Sequence, residues 1–149
     1  LIPSYDLHTI SDAENEAVPS GNGESVLYVD DEPEIARLGR RHLEALGYDA
    51  VSTTDPGEAL GMIKDRPDRF DLVISDMAMP HMPGDQLAAE ILSVNPEMPI
   101  IICTGYSTRM SEANAPEAGI NAFLMKPLSK SKLARMVKRV LDVHGKTER

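Results

Sequence analysis

The chain has 149 residues, 42% hydrophobic and 26% charged, which suits one compact soluble domain with an extension. A net charge of −9 argues against nucleic acid as a direct partner. No apolar run approaches the ~20 residues that span a bilayer and no secretory leader opens the chain, so no membrane contact is expected of it.

The charge is unevenly spread. Residues 1–24 hold five acids and no Lys or Arg. Within them, residues 8–24 are polar, acidic and rich in small side chains, and are read as a flexible linker. The apolar run Ser25–Asp30 ends in acids, as a buried strand would. Pro33 opens a helix carrying Ile35, Leu38, Leu43 and Leu46, and Gly47 closes it. Asp49–Thr53 reads as a strand. Asp55-Pro56 caps and starts a helix that runs toward Pro67.

The alternation then continues. Asp71–Asp76 is a strand, Gly84–Val94 a helix, and Pro99–Thr104 a strand. A weak helix over 107–119 would be interrupted by Pro116. Asn121–Met125 is a strand, and Ser129 caps a last helix with Leu133, Met136, Val137, Val140 and Leu141 on its apolar face. Residues 126–149 carry eight bases and two acids, read as a solvated helix face rather than a DNA patch. The single cysteine, Cys103, excludes an internal disulfide, lies in an apolar run as an inert core thiol, and fits a reducing cytoplasmic compartment.

Five β-α units in succession predict an α/β fold, a five-stranded doubly wound parallel sheet. Ligands bind such sheets at the carboxyl ends of the strands. There stand Asp30 and Asp31 after the first strand, Asp76 at the end of the third, Thr104 at the end of the fourth, and Lys126-Pro127 after the fifth. Each has an ordinary reading alone. Asp30-Asp31 is a helix-cap pair, Asp76 a turn residue, Thr104 a strand residue, and Lys126 a solvated charge. Together they are a phosphoryl-transfer set. Three crowded carboxylates repel, and an oxygen-binding divalent cation such as Mg²⁺ relieves them. One carboxylate then serves as nucleophile, while Lys126 and the Thr104 hydroxyl hold phosphoryl oxygens.

Val29-Asp30-Asp31-Glu32-Pro33, Ser75-Asp76-Met77-Ala78-Met79-Pro80, Cys103-Thr104-Gly105-Tyr106-Ser107 and Phe123-Leu124-Met125-Lys126-Pro127-Leu128 resemble the motifs of response-regulator receiver domains. The resemblance covers about residues 25–144 and leaves 145–149 as a C-terminal tail. It implies the flavodoxin-like (β/α)5 sheet with strand order 2-1-3-4-5. It implies Asp76 as phosphoacceptor and Asp31 as a direct Mg²⁺ ligand, with Asp30 acting through water and the Ala78 carbonyl completing the protein ligands. Mn²⁺ would substitute for Mg²⁺. Thr104 and Lys126 would bind the phosphoryl group, Pro127 would follow a cis bond, and Phe123 would be either a rotating switch with Thr104 or plain core.

The resemblance also implies partners: the dimerisation domain of a histidine kinase, or a histidine phosphotransfer protein. Thr104-Gly105-Tyr106-Ser107 is similar to receivers fused to hybrid kinases, and Leu1–Tyr5 resembles the last strand of a kinase ATP-binding domain. The chain opens on Leu1, so it reads as the C-terminal receiver of a longer hybrid sensor histidine kinase that is itself free to be membrane-anchored. Within it the domain would assist only its own phosphorylation and dephosphorylation. The alternatives are a stand-alone response regulator, a degenerate docking module, and a haloacid-dehalogenase-like phosphohydrolase. The last requires a second Asp two residues after the nucleophile, where Ala78 stands. Ala78, lacking a polar group, and the bulky Tyr106 are together expected to prolong the phosphorylated state. The alternative for Tyr106 is simple packing on the surface near the fourth helix.

Overall fold

The computed structural model describes residues 18–105 and 119–144. Five parallel strands, β1 (Ser25–Val29), β2 (Asp49–Thr53), β3 (Leu72–Asp76), β4 (Ile100–Thr104) and β5 (Ala122–Met125), lie in the order β2-β1-β3-β4-β5. Helices α1 (Pro33–Ala45), α2 (Pro56–Asp65) and α3 (Gly84–Val94) connect the first four strands, and α4 (Lys130–His144) follows β5. This is the predicted doubly wound sheet. The helix expected over 107–119 and the residue Tyr106 lie outside the described residues, as do 1–17 and 145–149. No described helix is long and apolar enough to cross a membrane.

Alternation along each strand sorts the core into two layers. Val26, Tyr28, Leu72, Ile74, Ile101 and Cys103 face α1 and α4. Leu27, Val29, Val73, Ile100 and Ile102 face α2 and α3. The three inner strands β1, β3 and β4 are buried on both sides, which is why they read as apolar runs, while the edge strands β2 and β5 are partly exposed.

Local chemistry sets the helix ends. Pro33 occupies the first turn of α1, whose N-cap is Glu32 without a side-chain cap bond. Gly47 ends α1 at φ +98, a conformation that excludes most side chains. Asp55 caps α2 by accepting from the Gly57 N–H at 2.9 Å. Ser129 caps α4 by accepting from the Lys132 N–H at 3.1 Å.

Residues 18–24, which read as linker by composition, are bound to the domain. The Gly21 N–H donates to the Leu46 carbonyl at 2.6 Å and the Gly23 N–H to that of Gly47 at 2.8 Å. Val18 packs against the layer that includes Tyr48 and Leu141. Composition counts side chains, whereas here the backbone makes the attachment.

Candidate functional site

In a parallel sheet all carboxyl ends share one edge, and each functional loop leaves that edge through a final backbone hydrogen bond. The Asp30 N–H donates to the Thr53 carbonyl at 3.2 Å, Met77 to Cys103 at 2.8 Å, and Lys126 to Thr104 at 2.8 Å. These bonds fix the backbone at Asp30, Thr104 and Lys126 and at Met77, the residue after Asp76. Asp30, Asp76 and Thr104 are all buried there.

The side chains converge. Lys126 Nζ lies 2.9 Å from Asp76 Oδ1 and 3.1 Å from Asp30 Oδ2. Asp30 Oδ1 accepts from the Glu32 N–H at 3.0 Å, so this carboxylate is anchored on both sides. That bond answers the helix-cap reading: Asp30 ties down the entry to α1 but is not its cap. Carboxylate oxygens of Asp30, Asp31 and Asp76 all lie within 4.8 Å of one another. Asp31 is partly exposed at the mouth of the group.

Burial pushes the Asp30 carboxyl above its ordinary pKa. The Glu32 N–H pulls it down, the neighbouring Asp76 pushes it further up, and Lys126 pulls it down again, leaving it raised. Burial also disfavours the Lys126 charge, but its hydrogen bonds to Asp76 and Asp30 outweigh that and hold its pKa above the usual lysine value. One ammonium thus bridges two of the three carboxylates, and Asp31 stands beside them. An all-oxygen donor set of this size and charge fits a hard divalent cation such as Mg²⁺.

Beneath the carboxylates lies a neutral layer. Burial pushes the Cys103 thiol up to about 12, which makes it unreactive. Burial likewise raises the Tyr28 hydroxyl, helped by the neighbouring Cys103, Asp30 and Asp76.

The remaining expected positions are dispersed around this centre. Ala78 is exposed in the loop between β3 and α3. The Lys126–Pro127 bond is cis. Phe123, on β5, pairs in register with Ile102 and is half-buried against the α2/α3 layer. Two contributors escaped the sequence reading. Gly84 opens α3 where a Cβ would collide with the Asp76 carbonyl oxygen, and its N–H donates to the Met77 carbonyl at 2.9 Å. Its signal was present, a glycine at a helix start following Pro83, but helix patterning alone gave no cause to link it to Asp76. Lys132, assigned by charge counting to a solvated face, donates to the carbonyls of Met125 and Pro127.

Residues 26–138 match the response regulator receiver domain family. The chain belongs to this family. It is 36% identical over 117 residues to the transcriptional regulatory protein GlrR of Escherichia coli K12, covering 78% of this chain and 26% of that protein. It is 33% identical over 118 residues to the sensor kinase CckA of Brucella abortus, covering 79% of this chain and 12% of that one. The chain therefore spans about a quarter of the first of these curated relatives and about an eighth of the second. Among solved structures, a receiver domain protein of Clostridium thermocellum superimposes with a TM-score of 0.76 at 27% identity, covering 80% of this chain and 95% of that one. A CheY-like receiver domain protein of Methanospirillum hungatei gives 0.75 at 30%, covering 82% and 96%. The receiver is a module of two-component signalling.

Proposed function

We propose that this receiver accepts a phosphoryl group from a phosphohistidine onto Asp76 in a Mg²⁺-dependent reaction. The observation that carries the reading is the Lys126 ammonium lying between Asp76 and Asp30, with Asp31 alongside. An Asp76 oxygen attacks phosphorus, a P–O bond forms, the donor P–N bond breaks, and the departing imidazole takes up one proton from solvent. Lys126 turns from its carboxylate partners to the transferred phosphoryl oxygens, and the Thr104 hydroxyl donates to another of them. Asp31, Asp76 and the Ala78 carbonyl, with Asp30 through water, would hold Mg²⁺ (or Mn²⁺ in its place), which when bound supplies positive charge against carboxylate–phosphoryl repulsion. Phe123 is assigned the packing change that follows movement of Thr104.

The test is incubation with a small acyl-phosphate or phosphoramidate donor, with and without Mg²⁺. The expected product is one hydroxylamine-sensitive phosphoryl group per chain, formed only with the metal and absent from Asp76→Ala. Undiminished modification of Asp76→Ala would refute the assignment.

For the longer protein, the hybrid sensor kinase is our preferred context, supported by the likeness to a sensor kinase and by Thr104-Gly105-Tyr106-Ser107. The 36% likeness to a transcriptional regulatory protein favours a second reading, in which another domain of the same protein acts on DNA. Mixing the loaded domain with a histidine phosphotransfer protein separates them. A hybrid-kinase receiver passes its phosphoryl group on, whereas a transcriptional receiver retains it until hydrolysis.

A further inference from the structure

The first turn of α4 contains a lysine in an unfavourable place. Ser129 is the N-cap, and its Oγ accepts from the Lys132 N–H, which makes Lys132 the third helical residue. A glutamate or glutamine at that position would reach back to the N-cap N–H and complete a capping box. A cation there instead meets the positive end of the helix dipole. No acidic residue lies in this turn to offset it.

The side chain has a different destination. Lys132 Nζ donates to the Met125 carbonyl at 3.0 Å and to the Pro127 carbonyl at 3.2 Å. These carbonyls lie on either side of Lys126 in the chain. Met125 is the last residue of β5, so the lysine joins the strand end, the loop and the helix start. The Lys126 N–H is already tied to the Thr104 carbonyl. The backbone that carries the site ammonium is therefore held at Lys126 itself and at both neighbours.

We propose that Lys132 is a positioning residue for phosphoryl transfer: it clamps the loop between β5 and α4 so that Lys126 is presented to Asp30 and Asp76. Lys126 must leave one set of oxygens and engage another during transfer. A long flexible side chain does this accurately only if its backbone root stays fixed. The proposal rests on the phosphoacceptor reading above.

Lys132→Gln is the informative variant, because glutamine completes the capping box while removing the clamp. The experiment measures thermal midpoint, Mg²⁺ dissociation constant and maximum phosphorylation rate with a small phosphodonor, for the parent, Lys132→Gln and Lys132→Arg. For Lys132→Gln the expected result is an equal or higher midpoint, a Mg²⁺ constant within twofold of the parent, and a maximum rate at least fivefold lower. The deficit should persist at ~1 M salt, where long-range charge effects are screened. Lys132→Arg, which can still donate to both carbonyls, should recover the rate to within twofold. A parent-like rate for Lys132→Gln, or a loss that merely follows a lowered midpoint, overturns the proposal. A parent that takes up no phosphate overturns the phosphoacceptor reading itself, so the two failures are distinguishable.

Discussion

The ring of Tyr28 fills the space that a side chain on Gly39 would occupy: a Cβ at residue 39 would sit 2.5 Å from Tyr28 Cζ. Tyr28 is on β1 and Gly39 is in the middle of α1, both buried. The glycine costs the helix about 1 kcal/mol relative to alanine. It lets α1 settle directly onto the ring that underlies the carboxylate cluster.

Gly39→Ala is therefore expected to destabilise the domain. Overpacking of about 1–3 kcal/mol opposes a helix-propensity gain of about 1 kcal/mol. In a Tyr28→Leu background the ring is gone and the same change should become neutral or stabilising. Urea unfolding of the four members of the cycle reads the coupling. A Gly39→Ala effect that is identical in both backgrounds would show that the ring is not what demands glycine.

Asp31→Asn removes a charge from a crowded acid cluster without touching the Lys126 bridge. Mg²⁺ affinity should fall by about tenfold or more, the range seen even for outer partners of metal sites. Phosphorylation should be lost, while stability in metal-free buffer holds or rises as repulsion is relieved. Calorimetric titration with Mg²⁺ checks this, and an unchanged affinity would remove Asp31 from the metal ligands.

The phosphorylated form is expected to be long-lived. Ala78 is exposed two residues beyond Asp76 and offers no group to position an attacking water. Ala78→Asn should shorten the lifetime by up to about tenfold, since placing a water contributes less than a full general base. Loading the domain, removing the donor and following phosphate loss in Mg²⁺ compares the two. Parent decay as fast as that of Ala78→Asn would contradict the argument.

His42 sets a pH dependence. Burial, and secondarily the Lys130 charge, lower its pKa below the ordinary 6.5. The unfolded chain therefore takes up a proton at a higher pH than the folded one. The His42 contribution is fully present above pH 6.5 and is lost as pH falls through the lowered folded value. His42→Gln should flatten the acid side of the stability profile in that window and leave stability at pH 8 nearly unchanged. Unfolding midpoints measured from pH 8 to 5 test it, and parallel profiles would assign the acid loss to other groups.

Much of the site was legible because its parts obey local rules. Asp30, Asp76 and Thr104 each end an apolar run, and Lys126 follows one. In a βα-repeat those ends must share an edge. Asp55 and Ser129 announced their helices by the same local logic, since a cap bonds the backbone two or three residues on.

What the amino-acid sequence determined by itself was therefore everything carried by period and punctuation: strand and helix order, the parallel sheet, and the acids, hydroxyl and lysine at its carboxyl edge. Only the tertiary structure decided which of those groups touch. Lys126 bridges Asp30 and Asp76, 96 and 50 residues away along the chain, and nothing in a local window specifies that. The same holds for Gly39 against Tyr28, Gly84 against the Asp76 carbonyl, and residues 21–23 against the turn after α1. The contact of Lys132 was not legible because a charge count cannot see backbone carbonyls, which every residue carries alike and which become acceptors for a particular side chain only once the loop has its shape.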